Sequence, residues 1–388
     1  MFLGLLLIFW ITIFLSNYPS EWLFSFFSYF EKYLLSFLDF IKIPEVIISS
    51  VVSGIYRVLT WVISVMLPPM LIFFPIFTLL EDVGYLPRIA FTLDNSFRKC
   101  SACGKQALTM AMGFGCNAVG VSGSRIIDSK RERLIAIITN VFVPCNGRFP
   151  TIIMLISMFL VSGTNFSNFY CALWLTIIIM LGVFLTFIIS FILSRTFLKG
   201  EPSSFILEMP SFRKPVFLKT IIRSIFDRTL IILSKAIKVS AVAGLVIWLL
   251  ANINIGNVSL LNHMANFLDS FGLLIGLDGA IVVGFILGFP ANEIVFPIIL
   301  MVYMSCSSIS ELPSIDVLRT LLVSNGWSLS TAVCMILFCL CHFPCSTTMM
   351  TIKEETKSFK WTFIAFVLPL LVGIFLCMLA NCFFKFFS

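Results

Sequence analysis

Helix-breaking and polar residues interrupt this chain in stretches that are otherwise apolar. Three short segments carry them, and each is flanked by long apolar runs: Gly113-Phe114-Gly115-Cys116-Asn117, Val143-Pro144-Cys145-Asn146-Gly147 and Phe343-Pro344-Cys345-Ser346. A break at membrane depth frees backbone carbonyl groups, which are tolerated where they line a site or a cavity. The thiol at each break adds a soft metal ligand. The pattern predicts a membrane protein with an internal path for a cation.

The composition is typical of a protein built from membrane helices. Of the 388 residues, 59% are hydrophobic and 12% are charged, and the mean hydropathy is +1.06. Each span must satisfy its own backbone hydrogen bonds, so we expect an all-α, polytopic helical membrane protein. The formal net charge of +7 is modest. In a membrane protein such a charge relates to the orientation of the chain in the membrane. We therefore expect no nucleic-acid partner.

The cysteines and the first residues indicate how the chain is processed. The 12 cysteines fall mostly inside apolar runs, which excludes the disulfide framework of a small secreted domain. The apolar segment 1–15 lacks a basic start and a small-residue cleavage site. We therefore expect it to be a first span, not a cleaved signal peptide.

Hydropathy divides the chain into four parts with roughly eight to ten membrane-inserted segments. Residues 1–45 hold a first span and an interfacial helix, 46–194 a first gate half, 195–228 a basic cytoplasmic loop, and 229–388 a second gate half with a C-terminal span. The basic segments 125–133 and 195–238 should face the cytoplasm. Pro68, Pro69 and Pro75 predict that the long span over 46–80 is divided into two pieces.

The breaks recur in the two gate halves. The repeated pairs are Gly113-Phe114-x-x-Asn117 with Gly288-Phe289-x-x-Asn292, and Pro144-Cys145 with Pro344-Cys345. Paired interruptions in two halves indicate a binding site at the interface between repeats. The spacing between the two breaks differs from one half to the other, so the predicted repeat is imperfect. We assign Gly113, Gly288, Pro144 and Pro344 to gating.

The three cysteines at the breaks, Cys116, Cys145 and Cys345, are the first candidate metal ligands. Fe²⁺ accepts thiolate, amide and carboxylate donors, whereas Mg²⁺ and Ca²⁺ prefer oxygen alone. If the segment before Cys345 is helical, Cys334 and Cys341 share its face, although Pro344 should bend the helix there. The alternative is that these cysteines are small apolar residues in helix packing.

Glu293 lies inside an apolar run, directly after Asn292. A carboxylate within the membrane is costly, so it should face a cavity, a partner or a path. Asn117 and Asn292 could present carbonyl oxygens beside it, or could cap broken helices. Glu81 and Asp82, at the end of a span, could collect cations at a mouth or pair with a nearby arginine.

Three further motifs leave alternatives open. His342 could bind the metal, carry a proton or simply pack beside Cys341. Cys100-Ser101-Ala102-Cys103 has CxxC spacing without two further zinc ligands, so a plain loop competes with a redox pair. Gly104-Lys105 lacks the other residues of a phosphate-binding loop. We therefore predict no enzyme activity in this chain.

Several motifs resemble the ferrous iron transport protein B family over nearly the whole chain. They are Leu80-Glu-Asp-Val-Gly-Tyr-Leu-Pro-Arg-Ile-Ala-Phe91, Gly104-Lys-Gln-Ala-Leu-Thr-Met-Ala-Met-Gly-Phe-Gly-Cys-Asn117, Arg125-Ile-Ile-Asp-Ser-Lys-Arg-Glu-Arg-Leu134, Val143-Pro-Cys-Asn-Gly-Arg-Phe-Pro150, Gly288-Phe-Pro-Ala-Asn-Glu-Ile294 and Cys341-His-Phe-Pro-Cys345. The resemblance implies a multi-pass Fe²⁺ importer of the bacterial inner membrane with two gate domains. The family's gate cysteines correspond to Cys116, Cys145 and Cys345.

The family normally carries an N-terminal GTPase domain, which this sequence does not contain. The resemblance therefore implies a separate cytoplasmic GTPase subunit, a truncated chain or another driving force, together with small accessory iron-transport proteins and a homo-oligomer as candidate partners. Two other functions stay open: a gate-module permease for a solute such as a nucleoside, and a membrane scaffold or sensor that does not transport.

Overall fold

The computed structural model describes residues 2–99, 103–161, 167–199, 217–256, 258–306, 308 and 315–387. The α-helices are α1 (Phe2–Phe40), α2 (Glu45–Ser49), α3 (Arg57–Asp82), α4 (Tyr85–Lys99), α5 (Lys105–Gly115), α6 (Asn117–Gly123), α7 (Lys130–Thr139), α8 (Phe149–Leu155), α9 (Ser167–Arg195), α10 (Phe217–Ser224), α11 (Ile231–Asn252), α12 (Leu260–Leu274), α13 (Gly279–Leu287), α14 (Val295–Met304), α15 (Ile315–Ser324), α16 (Leu329–Cys341), α17 (Ser346–Thr356) and α18 (Phe359–Phe387). Within those residues the strands are a single antiparallel pair, β1 (Asn254–Ile255) and β2 (Val258–Ser259).

Short 3₁₀-helical and π-helical turns connect several of these helices. The π-helical turns are Ser50–Tyr56, Ile156–Leu160 and Ile225–Leu230, and the 3₁₀ turns are Ser124–Ile126, Asn140–Phe142 and Asn292–Ile294. Helices α7, α12, α13 and α16 begin at Ser129, Ser259, Asp278 and Ser328, whose side-chain oxygens accept a backbone N–H of the first turn. These caps explain why the helices start where they do.

The described part contains five helical segments that are long and apolar enough to cross a membrane. They are Glu45–Asp82, Phe169–Arg195, Ile231–Asn252, Leu329–Thr356 and Phe359–Phe386. The pair α12 and α13 qualifies as a sixth, bent by 109°. Two shorter apolar segments, Phe149–Leu160 and Asn292–Met304, accompany them. The prediction of an all-α polytopic membrane protein is confirmed.

Two local expectations were wrong. The first span and the interfacial helix form one continuous helix, α1, which passes through Pro19. Likewise Pro68, Pro69 and Pro75 lie inside α3, and the segment Glu45–Asp82 is one helix. The three prolines are buried or partly buried among neighbouring helices. Tertiary packing of this kind compensates for the lost backbone hydrogen bonds.

The main buried core joins the two gate halves. Ile138, Phe142 and Ile152 of the first half belong to the same apolar cluster as Met335 and Leu340 of the second. These side chains pack closely against one another, and this packing holds the broken segments of both halves side by side. The domain boundaries themselves stay a prediction.

The two Gly-Phe breaks have the same backbone conformation. In the first half Cys116, between α5 and α6, has φ −156° and ψ 127°. In the second half Ala291, which precedes the turn Asn292–Ile294, has φ −152° and ψ 127°. One extended residue separates α5 from α6, whereas the second break also contains the turn residues 288–290 and the 3₁₀ turn Asn292–Ile294. Asn117 and Asn292 follow the extended residues in corresponding positions.

Candidate functional site

The broken segments meet at one small internal cavity of about 30 Å³. A space of this size holds about one or two water molecules or a partly dehydrated ion. Three thiols line it, each from a different break. All six predicted metal ligands are among the lining residues: Cys116, Cys145, Cys345, Asn117, Asn292 and Glu293.

The three thiols are free and are held by different local structures. Cys116 is the extended residue between α5 and α6, and Cys145 follows the turn Asn140–Phe142. Cys345 directly precedes α17, and its Sγ lies 3.2 Å from Thr348 Oγ1. The cavity thus gathers sulfur atoms that are far apart in sequence.

Glu293 presents the only carboxylate among the described lining residues of this cavity. Its backbone carbonyl accepts a hydrogen bond from Trp61 Nε1 at 3.3 Å. Its side chain lies against Gly147, because a Cβ on that glycine would overlap Glu293 Oε1. Within the described residues no basic side chain pairs with the carboxylate. An unpaired carboxylate at a cavity inside the membrane has the chemistry of a cation path.

The two asparagines hold the breaks in place in different ways. With its amide nitrogen facing two carbonyl groups, Asn117 donates to Gly113 O at 3.1 Å and to Val143 O at 3.2 Å. Asn117 therefore ties α5 to the segment before Pro144. Asn292 extends between the halves, with its Nδ2 3.9 Å from Cys145 Sγ. Both amides form contacts around the cavity, and both line it.

His342 and Cys341 lie behind the cavity and do not line it. The buried His342 ring places Nδ1 3.0 Å from Cys339 O and Nε2 3.2 Å from Asn292 Oδ1. It therefore positions Asn292. Pro144 and Pro344 sit in the two breaks between helices, and Gly113 and Gly288 lie at the ends of α5 and α13.

Arg148 is a functional candidate that the sequence interpretation missed. It is fully buried, and its guanidinium donates to Val141 O at 3.0 Å, Leu340 O at 2.8 Å and His342 O at 3.2 Å. The Leu340 carbonyl is the one that Pro344 cannot satisfy, because proline has no N–H. Arg148 thus replaces the missing donor and ties both halves together. A charge four residues after Pro144 in an apolar run was the available signal.

The proposed stripe of thiols before Cys345 was wrong. Helix α16 ends at Cys341, and Cys345 belongs to the start of α17. Cys334 Sγ lies 3.7 Å from the Cys377 carbonyl oxygen, so it contacts α18 and not the cavity. The break at Pro344 separates the thiols into two environments.

Other predicted residues lie elsewhere. Asp82, at the end of α3, accepts a hydrogen bond from Thr220 Oγ1 at 2.6 Å, and neither it nor Glu81 lines the cavity. Of the CxxC motif, Cys103 is buried, and residues 100–102 lie outside the described residues.

The described residues contain no group of three or more His, Cys, Asp or Glu side chains placed to hold a metal ion together. The cavity therefore differs from a structural zinc site, in which four ligands are held around the metal. Its donors share one space without forming a closed coordination shell.

Comparison with known families covers both halves. The Gate family model, described as "Nucleoside recognition", matches residues 63–159 and 233–359. A model described as "Ferrous iron transport protein B C terminus" matches residues 175–228. The first gate match contains Cys116 and Cys145, and the second contains Glu293 and Cys345. The cavity is therefore built by both gate segments.

Curated relatives extend the similarity along the chain. The Fe(2+) transporter FeoB of Staphylococcus aureus (strain MSSA476) is 29% identical over 379 residues, which cover 94% of this chain and 53% of the relative. The Fe(2+) transporter FeoB of Leptospira interrogans (strain Fiocruz L1-130) is 24% identical, with 94% and 54% covered. A Porphyromonas gingivalis protein, "Fe(2+) transport protein A/Fe(2+) transporter FeoB fusion protein", is 24% identical, with 90% and 45% covered.

The chain spans about half the length of the curated relatives it matches. No solved structure matches it. Its apolar helices and its bacterial relatives describe a multi-pass protein of the bacterial cytoplasmic membrane. With the Gate model matching more than half of its residues, the chain belongs to the Gate family, and between the two Gate segments it is similar to the C-terminal region of ferrous iron transport protein B.

Proposed function

We propose that this chain moves Fe²⁺ across the membrane through the thiol-lined cavity. The observation that carries the proposal is the convergence of three free thiols and one unpaired carboxylate, from separate broken segments, on a single small space. The names of the relatives, Fe(2+) transporter FeoB, support the same cargo. Cys116 and Cys345 are the central donors, and Cys145, Asn117, Asn292 and Glu293 assist.

Mixed sulfur and oxygen donors provide a physical basis for selectivity. Fe²⁺ gains from thiolate ligation, whereas Mg²⁺ and Ca²⁺ lose water without an equal return from sulfur. The open donor arrangement also suits a transporter, because a fully formed shell would hold the ion too tightly to release it. Fe²⁺ binding would draw the donors of the two halves together, and their separation would release the ion.

The broken helices provide the moving parts of such a cycle. Arg148 holds carbonyl groups of both halves at the breaks, so it is the hinge around which we place gating. At the end of the molecule that carries the basic segment 125–133, Arg125 pairs with Glu355 and Lys235 with Glu354. The positive-inside rule puts this end in the cytoplasm. We propose import as the direction of transport, as the resemblance to Fe²⁺ importers implies.

We propose two kinds of partner. GTP, if used, is bound by a separate cytoplasmic GTPase subunit that docks on the basic segment. The P. gingivalis fusion supports a small accessory iron-transport protein as a second partner. Homo-oligomer formation stays a prediction.

Fe²⁺ uptake into proteoliposomes tests the proposal. Cys116→Ser and Cys345→Ser should each lower uptake by about tenfold or more, because hydroxyl oxygen replaces a soft donor. Cys382→Ser is the matched control, because Cys382 is exposed on α18 and does not line the cavity. Wild-type uptake by both cavity variants, at equal reconstituted amounts, would refute the thiol mechanism.

The Gate model's description favours a second candidate, a nucleoside permease. The central cavity of about 30 Å³ is much smaller than the roughly 300–1,000 Å³ of small-molecule sites. Competition decides between the two: nucleosides at high concentration should leave Fe²⁺ uptake unchanged. Metal binding without flux in the same liposomes would instead identify a scaffold or sensor.

A further inference from the structure

A second and larger cavity reaches Glu293 from the opposite side. It is a groove of about 880 Å³, with α1 and α3 forming one wall and α8 and α14 contributing the other. Among the described residues that line the groove and the thiol cavity, Glu293 alone belongs to both. The carboxylate therefore stands at the junction of two spaces.

The packing of α1 against α3 sets the direction of the groove. The two helices are antiparallel, since Phe24 contacts Trp61 while Glu31 pairs with Arg57 at 2.8 Å. On α3 the groove is lined by Trp61, Ser64 and Val65, which span about 6 Å along the helix. Next along that helix come Met66 and Met70 of the thiol cavity.

The opposite side of the thiol cavity leads to the basic end of the molecule. Helix α17 runs from Cys345 to Glu354 and Glu355, which pair with Lys235 and Arg125. The groove and this charged end therefore lie on different sides of the thiols. With the basic end in the cytoplasm, the groove faces outward.

A polar row on α1 lines the groove. Glu21, Ser25, Ser28 and Lys32 lie three or four positions apart on one helix face, and Ser20 lies beside Glu21. Other faces of the same helix expose aromatic side chains, including Trp22, Phe26 and Tyr33. A polar row on a membrane helix requires water or polar groups beside it. The antiparallel packing places Glu21 toward Ser64 and the carboxylate of Glu293, with Lys32 toward the outer end.

Ser64 adds a polar residue to the wall of the groove. It lines the groove although the residue is only 1% exposed. Its Oγ has no hydrogen-bond partner among the described residues. A buried hydroxyl without a partner is rare, so the wall of the groove has polar character at this depth.

We propose that the groove is an outward-facing, hydrated vestibule through which a hydrated divalent cation reaches Glu293 before it enters the thiol cavity. Water beside the α1 row and Ser64 keeps the cation hydrated, and Glu21 attracts it toward the inner half. At Glu293 a carboxylate oxygen replaces one water ligand. This inference rests on the proposed function for the identity of the cation, but the water-filled vestibule can be tested without transport.

Labelling of an introduced cysteine tests the vestibule directly. Ser28→Cys and, as a matched control, Thr176→Cys on the exposed face of α9 are treated in right-side-out vesicles with a membrane-impermeant, charged thiol reagent. Mass spectrometry reads the modification at each position. Thiolate forms only in water, so position 28 should be labelled at least tenfold faster than position 176. Equal labelling at the two positions would overturn the proposal.

A blocking substitution provides the second test. Ser25→Trp, at an exposed position that lines the groove, fills it and should lower the labelling of Ser28→Cys and the Fe²⁺ uptake severalfold. Ser36→Trp, exposed on the same helix outside the groove, is the control and should retain both. Retention of wild-type uptake and labelling in Ser25→Trp would overturn the vestibule while leaving the transport proposal intact. Rapid labelling at position 28 in a protein that carries no Fe²⁺ would support the vestibule and refute the transport proposal.

Discussion

The breaks at Cys116 and Ala291 have nearly the same backbone and different chemistry. Each has one extended residue that is followed by an asparagine lining the cavity, although the second break also contains turn residues on both sides of it. The first break supplies a thiol at the extended position, and the second supplies the carboxylate of Glu293. The repeat therefore presents the same geometry twice, and the side chains place a soft donor and a hard donor on one cavity.

The asparagines show a second difference. Asn117 bonds within its own half, to Gly113 and Val143. Asn292 contacts Cys145 of the other half and the His342 ring. The first break is therefore fixed locally, whereas the second depends on the interface. Movement between the halves would change the second break more than the first.

The largest expected effect comes from removing the group that both halves share. Arg148→Met leaves three buried carbonyl groups without their charged donor and should cost about 3 kcal/mol or more. We expect a marked drop in the melting temperature in detergent. Arg195→Met, at an exposed helix end, is the control and should change it little. A wild-type melting temperature for Arg148→Met would show that the shared clamp does not hold the halves together.

Gly147→Ala should impair transport more than stability. The added Cβ overlaps the Glu293 carboxylate and displaces it from the cavity, so Fe²⁺ uptake should fall by about tenfold. The double variant Gly147→Ala/Glu293→Asp shortens the acid and should restore part of the uptake. If the double variant were no better than Gly147→Ala alone, the close contact between these two residues would not be the cause.

Ala291→Cys makes the two breaks chemically alike. Because Ala291 has the backbone of Cys116 and lines the same cavity, the new thiol should face the other three. Cd²⁺, a soft ion, should bind severalfold more tightly, and Fe²⁺ turnover should fall because release slows. Isothermal titration and uptake measure the two effects. Val295→Cys, buried but absent from the cavity lining, is the control, and equal Cd²⁺ affinity in both variants would contradict the predicted equivalence.

The smallest effect is expected at the surface, away from both breaks. Asp128 hydrogen-bonds to Lys105 at 2.6 Å, and this bond with the lysine charge lowers the pKa of the exposed carboxyl. Its contribution to stability is present above the pKa of the unfolded state and disappears as the pH falls through the folded-state value. Asp128→Asn should shift the melting temperature by only about 1 °C at neutral pH and not at all in acid. A large shift would mean that this surface pair, and not the breaks alone, organises the first half.

The sequence was sufficient for the fold class and for naming six residues that line the cavity, whose role as metal ligands stays a prediction. Breaks at Gly and Pro inside apolar runs predicted where helices would stop at Cys116, Cys145 and Cys345, since few other features place such residues at membrane depth. Pro68, Pro69 and Pro75 did not interrupt a helix as predicted, because packing around α3 holds that helix together. A proline therefore breaks a helix only where tertiary contacts do not compensate.

Contacts between distant segments were beyond local patterns. No residue near Arg148 in the sequence indicates that it donates a hydrogen bond to the Leu340 carbonyl, because the two groups meet only when the halves associate. The groove at Glu293 likewise requires α1 to pack beside α3, and the serines of α1 were assigned to an interfacial helix. Both the Arg148 hydrogen bonds and the groove depend on contacts between segments that are distant in sequence.

Iron X-ray absorption of the Fe²⁺-loaded protein tests the central claim most directly. We predict sulfur in the first coordination shell of the wild-type protein, together with oxygen. The sulfur contribution should decrease in Cys116→Ser and Cys345→Ser and remain unchanged in Cys382→Ser. A spectrum with only oxygen and nitrogen neighbours, the same in the wild type and in both cavity variants, would contradict the claim that the thiols of the two halves meet the ion.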